Sequence, residues 1–106
     1  MIEWSRVNEL REEVGESDFK EVVDLFLEEV SEALDRLSSS QGSAEEHLHF
    51  LKGCALSLGF ETLAQLCERY ERQAAGAQPV DVSAIVACFD RSRSEFLSGL
   101  SRDTAA

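Results

Sequence analysis

Residues 47–59 read HLHFLKGCALSLG, and their spacing predicts a helix with one buried side. An α-helix turns about 100° per residue, which places four of the apolar side chains in this stretch on a single face. These four are Leu48, Leu51, Ala55 and Leu58. Glycine readily adopts the left-handed conformation that ends many helices, so Gly59 is the predicted end of this one.

The same periodicity recurs on both sides of this stretch. Apolar residues at three- and four-residue spacing indicate helices nearly throughout the chain. We predict five of them, over about residues 3–14, 18–37, 43–58, 60–74 and 81–100. Ser17 or Asp18 is expected to cap the second helix, Ser43 with Glu46 to form a capping box on the third, and Asp81 to cap the last.

Each of the four long segments has one apolar stripe and one charged face, so none could bury its stripe alone. The expected fold is therefore all-α: an antiparallel up-down-up-down four-helix bundle with the short N-terminal helix as a lid over one end. Residues 1–106 form a single domain in this interpretation, with a disordered tail at about 101–106. Because one bundle uses all the long apolar stripes, we expect a monomer.

The composition excludes several classes of function. A net charge of −11 repels nucleic acid and anionic lipid, and no segment is apolar enough to span a bilayer. The N-terminal residues do not resemble a secretory signal, so we expect a cytoplasmic location. The initial Met and the expected frayed tail favour a free-standing protein. Cys54, Cys67 and Cys88 are widely spaced, which favours buried thiols over disulfides or a structural zinc site.

His49 lies on the opposite side of the third helix from the core face. Its neighbours one or two turns away on that surface are Glu45, Lys52, Gly53 and Leu56. The Lys52 ammonium can reach a group attached to the His49 ring. A glycine inside an exposed helix costs about 0.8–1 kcal/mol relative to alanine, so Gly53 is interpreted as clearing space beside the imidazole. The alternatives are a solvated surface histidine and a close helix–helix contact at Gly53.

The fourth helix is expected to fold back on the third about Gly59. His49 precedes this residue by ten positions and Arg69 follows it by ten, so the two should lie side by side. Arg69, Glu68 and Arg72 are therefore candidates for the rim of a site at His49. The alternative is that they are solvated charges or pair with other residues of their own helix, such as Glu61 or Glu71.

The stretch from His49 to Gly53, followed by Leu58 and Gly59, resembles the signature H-x-L-K-G-x(4)-L-G of histidine-containing phosphotransfer (HPt) domains. Cys67-Glu68-Arg69 is also similar to the second hairpin helix of several members. The resemblance implies that His49 is the phosphoacceptor, that Lys52 stabilises the phosphoryl group and that Gly53 makes space. Many relatives have a serine after this glycine, where the present chain has Cys54.

The resemblance further implies a phosphorelay intermediate that accepts a phosphoryl group from one receiver domain and passes it to another. Its partners would be response-regulator receivers and a histidine or hybrid kinase. They would dock on the surface formed by Gly53, Leu56, Glu45, Arg69 and Arg72. No cofactor is expected, since Mg²⁺ would belong to the receiver, and no phosphate-binding glycine loop indicates a nucleotide site or kinase activity.

Two other functions compete with this interpretation. An interaction-only bundle could bind a receiver or kinase without phosphotransfer, although such a protein has no need of a nucleophile. A metal-binding bundle could use His47, His49 and Cys54. An α-helix rotates by about 100° per residue, so the two histidines lie about 200° apart around the helix axis. The metal-binding alternative is therefore the weaker one. His47 is predicted instead to lie at the edge of the core with a local hydrogen bond.

Overall fold

The apolar periodicity of the chain produces helices along nearly its whole length. The computed structural model describes residues 1–105, with side chains as far as Ser101. Within these residues the helices are α1 Trp4–Val14, α2 Glu16–Ser38, α3 Ala44–Leu58, α4 Glu61–Ala75 and α5 Val82–Ala105. The only strand-like pairing in the described part of the chain is an isolated antiparallel bridge between Ile2 and Phe60.

The ends of α3 and the start of α5 form as the local sequence predicts. The Ser43 hydroxyl accepts a hydrogen bond from the Glu46 backbone N–H at 3.2 Å, which is one half of the expected capping box. Gly59 ends α3 in the left-handed conformation, with φ 79° and ψ 21°. Asp81 accepts a hydrogen bond from the Ala84 backbone N–H at 3.2 Å. The side-chain caps predicted for α3 and α5 are therefore confirmed.

Two other helix ends differ from the prediction. α2 begins at Glu16 with Gly15 as its N-cap, so the predicted cap at Ser17 or Asp18 was wrong. Gly15 has a φ of 86°, which allows a one-residue turn between α1 and α2. α5 continues to Ala105, beyond its expected end at Leu100, because residues 101–105 contain no glycine or proline to stop it. The predicted disorder of residues 101–106 stays a prediction, and Ala106 lies outside the described residues.

The four long helices form a ring in which each one contacts the next and α5 returns to α2. Across the described residues, no Cα atoms of the diagonal pairs α2–α4 and α3–α5 lie within 8 Å of each other. Ser38 lies near Val82 at one end of the ring and Phe19 lies near Leu97 at the other, so α2 and α5 run in opposite directions. The all-α bundle is confirmed, and the arrangement is compatible with an up-down-up-down order. No helix in the described residues has both the length and the apolar content needed to cross a membrane.

The core of the bundle contains the face of α3 that the helical spacing predicts. Leu48, Leu51, Ala55 and Leu58 are all fully buried. Cys54, Cys67 and Cys88 are buried free thiols, as expected. Burial raises the pKa of Cys54 to about 11 and that of Cys67 to about 12, so both thiols are neutral at physiological pH.

The N-terminal segment covers the end of the bundle where α3 turns into α4. The Glu3 backbone N–H donates to the Gly59 carbonyl at 2.7 Å, and the Arg6 guanidinium donates to the Ser57 carbonyl at 3.2 Å. The Trp4 ring stacks on Phe96 of α5, with 5.9 Å between ring centroids. These contacts confirm the predicted lid and satisfy carbonyl groups at the C-terminal end of α3.

Candidate functional site

α3 is anchored on one side and exposes His49 on the other. Leu48 and Leu51 are fully buried, whereas the His49 side chain is 70% exposed. The Ser43 cap and the Gly59 stop define the two ends of the helix. The buried face of the helix determines its rotation relative to the bundle. His49 therefore lies on a rigid element with its ring accessible to a partner protein.

A single carboxylate from α4 contacts both chemically important side chains of α3. Glu71 Oε2 lies 2.9 Å from His49 Nδ1, and Glu71 Oε1 lies 2.9 Å from Lys52 Nζ. The Glu71 side chain is only 20% exposed and that of Lys52 25%. Hydrogen bonding from Lys52, and secondarily from His49, holds the pKa of Glu71 below its ordinary value. The carboxylate is thus ionised at neutral pH.

Gly53 lies beside this network and faces open space. A Cβ atom built on Gly53 would have no heavy atom within 4 Å outside its immediate chain neighbours and its own helix backbone. The alternative interpretation, a close helix–helix contact at Gly53, is therefore wrong. The missing side chain leaves a notch in the exposed surface of α3, one turn beyond His49.

Two apolar side chains border this notch on the same helix. Leu56, predicted as a docking residue, is 56% exposed, and Phe50 is 45% exposed. Glu45, one turn before His49, is also exposed. Phe50 is not among the predicted docking residues, although its helical position, about 100° from His49, already places it away from the core face.

The two arginines predicted to border the site are placed differently. Arg69 lies with its guanidinium 5.1 Å from the centre of the Tyr70 ring. Together with Arg72 it borders a shallow depression on α4 that does not include His49 or Lys52. Residues 69 and 71 differ by about 200° around a helix. Equal distance from the turn therefore predicts the position of a residue along the helix axis, but not the face of the helix on which it lies. The docking role of Arg69 and Arg72 stays a prediction.

Glu71 is a site residue that the sequence does not predict. The sequence indicates it only as a possible partner of the arginines on its own helix. Its contact with His49 joins residues that are 22 positions apart, and no local pattern indicates such a pair. Knowledge of how α4 is rotated about its axis would have been needed to find it.

His47 is separate from this site. Its Nε2 is hydrogen-bonded to the Gln41 carbonyl, in the loop before α3, which confirms the predicted local hydrogen bond. His47 and His49 thus have different partners and point away from each other, which argues against a shared metal ion. Among the described side chains, no group of three or more His, Cys, Asp or Glu residues could hold a metal.

Comparison with protein families identifies a match over most of the chain. The model of the family described as Hpt domain matches residues 21–95, which is 75 of the 106 residues. The matched segment extends from α2 into α5 and includes His49, Lys52, Gly53 and Glu71. Comparisons with curated proteins and with solved structures find no match.

Proposed function

The chain belongs to the Hpt domain family, and from this we propose that it is a phosphorelay intermediate of two-component signalling. His49 accepts a phosphoryl group from the aspartyl phosphate of one receiver domain and passes it to the aspartate of another. The observation that carries this proposal is the 70% exposure of the His49 side chain on an anchored helix, next to an open notch at Gly53. A receiver can therefore bring its phosphoaspartate to the ring.

The transfer is a displacement at phosphorus. The lone pair of a ring nitrogen of His49 forms the N–P bond while the P–O bond to the receiver aspartate breaks. The bonding electrons leave with the aspartate carboxylate, and the reverse step regenerates an aspartyl phosphate on the next receiver. The receiver contributes the metal ion and the leaving carboxylate, so the histidine protein has to supply a positioned nucleophile and local charge.

Lys52 supplies that charge in this proposal. Its ammonium is one helical turn from His49 and only 25% exposed. The transferred phosphoryl group carries negative charge on its equatorial oxygens, and a cation held in a partly desolvated position stabilises this charge more than a freely solvated one. Lys52 therefore lowers the barrier to transfer in both directions.

The partner surface in this proposal is the exposed strip of α3. Gly53 lets a receiver backbone or side chain approach the helix closely, while Leu56 offers an apolar contact and Glu45 a negative charge. Arg69 and Arg72 on α4 would contact a receiver only if it extended beyond α3. The proposal includes a monomer, since one bundle uses all the long apolar stripes, and a cytoplasmic location, where receiver domains and kinases would be its partners.

The proposal is tested by phosphotransfer from a radiolabelled phosphorylated receiver. Wild-type protein is expected to acquire label that is acid-labile and base-stable, and His49→Gln is expected to acquire none. His47→Gln provides the matched control, because it removes the other histidine of the same helix and should accept label like wild type. Absence of transfer from every receiver of the source organism, with helical content intact, would overturn the relay and favour an interaction-only bundle.

A further inference from the structure

We propose that Arg69 and Arg72 form a second docking surface, on the outer face of α4, that binds an acidic segment of a partner protein. This inference goes beyond the proposed relay. It rests on the relay only for the position of the receiver, which docks on the exposed strip of α3. The argument for an acidic partner starts from the way in which positive charge is distributed over the molecule.

Positive charge is scarce in this protein, and most of it is neutralised internally. Ten lysines and arginines face 21 aspartates and glutamates. Among the described side chains, six cations lie within 3.9 Å of a carboxylate oxygen: Arg6, Arg11, Lys20, Arg36, Lys52 and Arg93. The other described cations, Arg69, Arg72 and Arg91, form no such pair. Two of these three are neighbours, so unpaired positive charge is concentrated on α4.

The two arginines of α4 share one surface. Residues three positions apart on a helix have Cβ atoms about 5–6 Å apart, so Arg69 and Arg72 lie side by side. Both side chains are exposed, and both line the same shallow depression. The remaining lining residues are Thr62, Gln65, Leu66 and Glu68. One acidic segment can therefore reach both guanidinium groups at once.

Arg69 is held in a defined position without using its hydrogen-bond donors. Its guanidinium lies 5.1 Å from the centre of the ring of Tyr70, a residue that belongs to the core. A guanidinium stacked on an aromatic ring keeps its N–H groups free at its edge, and two of them can bind one carboxylate in parallel. Within the described residues, neither Arg69 nor Arg72 donates a hydrogen bond. A carboxylate is thus the group that fits this surface.

The charge of the whole molecule limits the class of partner. A net charge of −11 repels extended polyanions such as nucleic acid or an anionic lipid surface. A protein segment with two carboxylates brings little negative charge near the rest of the molecule. Leu66 is half-buried in the depression and offers an apolar contact to the same segment. An acidic protein segment therefore fits better than a polyanion.

The surface on α4 differs from the strip on α3 in both position and charge. Neither His49 nor Lys52 lines the depression. The α3 strip exposes the acidic Glu45 and the apolar Leu56, whereas the α4 surface exposes two cations. A receiver surface that complements the first does not complement the second. The protein can thus hold an acidic partner on α4 while α3 exchanges phosphoryl groups with receivers.

The first experiment uses hexaglutamate as the probe, titrated at low ionic strength into ¹⁵N-labelled protein and followed by NMR. Amide shifts are expected between residues 62 and 72, and hexaglutamine should cause none. The double variant Arg69→Ala, Arg72→Ala should bind hexaglutamate about tenfold more weakly or worse, because charge-assisted hydrogen bonds are removed. Arg36→Ala is the matched control. It removes an exposed arginine of α2 that already pairs with Glu32, so binding should persist.

Glu68→Gln tests the surface in the opposite direction. It removes the exposed carboxylate that shares the depression with the two arginines, so hexaglutamate should bind about twofold more tightly. A gain in affinity cannot result from misfolding. An unchanged affinity, or an equal loss in Arg36→Ala, would mean that the probe is attracted to positive charge in general and would overturn the proposal.

The second experiment adds an unphosphorylated receiver to the complex with hexaglutamate. The shifts between residues 62 and 72 should persist, because the receiver occupies α3. Their loss would assign the arginines to the receiver interface and overturn the separate surface. Neither experiment depends on labelling of His49, so a failure of the relay would show separately, in the His49→Gln comparison.

Discussion

The indole of Trp4 occupies the space directly above Gly99. A Cβ atom built on Gly99 would lie 2.2 Å from Cζ2 of the Trp4 ring, far inside van der Waals contact. The same ring stacks on Phe96, one turn earlier on α5. Glycine at this position allows the edge of the aromatic ring to approach the helix closely, so Gly99 has a packing role that outweighs its low helix propensity.

Gly99→Ala is therefore expected to destabilise the protein, although alanine is the better helix former by about 0.8–1 kcal/mol. Displacing the ring should cost about 1–3 kcal/mol, the usual range for overpacking. Thermal unfolding followed by circular dichroism measures this. Gly76→Ala is the control, since its Cβ would make only ordinary contacts, the nearest at 3.6 Å. A Gly99→Ala protein as stable as wild type would show that the close approach of the Trp4 ring does not require glycine at position 99.

At Gly53 we expect stability and phosphotransfer to change in opposite directions. Gly53→Ala should raise the free energy of unfolding by about 0.8–1 kcal/mol, because the added methyl group meets no neighbour and alanine favours the helix. Gly53→Gln should also fold, but its longer side chain should fill the notch and block transfer from a receiver. Urea denaturation and label transfer are measured on the same preparations. Transfer to Gly53→Gln at the wild-type rate would argue against docking at this surface.

Lys52→Ala is expected to slow phosphotransfer by roughly 10²-fold, the lower end of the loss seen when one charge-stabilising donor is removed. The phosphohistidine that does form should hydrolyse faster, while the helical content stays near that of wild type. Lys20→Ala is the matched control, because Lys20 pairs with a carboxylate at a similar distance but on α2. Equal rates for the two variants would remove the phosphate-stabilising role of Lys52.

The contribution of Glu71 to stability should depend on pH. Its pKa is lowered in the folded protein, so its ionised form favours folding in full above the ordinary glutamate pKa of about 4.3. That contribution is lost as the pH falls through the lower folded-state value. We expect Glu71→Gln to be less stable than wild type at pH 6, and the difference to shrink toward pH 3, as measured by urea unfolding. A difference that is constant with pH would mean that Glu71 acts through packing rather than charge.

Much of the fold could be predicted because its determinants are local. The buried face of α3, the stop at Gly59 and the caps at Ser43 and Asp81 each depend on residues within a few positions of one another. The cap of α2 could not be predicted in the same way. Two turns suit the local sequence: a one-residue turn at Gly15, and a longer turn ended by Ser17 or Asp18. The structure contains the shorter one.

The same distinction between local sequence and packing between helices applies to the candidate site. His49, Lys52 and Gly53 lie within five residues and one helical surface, so the spacing alone brings them together. The contact with Glu71 depends on the rotation of α4 against α3, which is set by buried residues such as Cys67 and Tyr70 rather than by Glu71 itself. Distance along the hairpin therefore predicts Arg69, which lies on another side of the helix.

The stacking of Trp4 on Phe96 joins residues 92 positions apart, almost the two ends of the chain. Trp4 is also the single tryptophan of the protein. Its fluorescence consequently reports the closure of the N-terminal segment onto α5, a contact whose long sequence separation carries a large loop-closure entropy. Amide hydrogen exchange in α3 is the observable that reports local opening of the helix that carries His49.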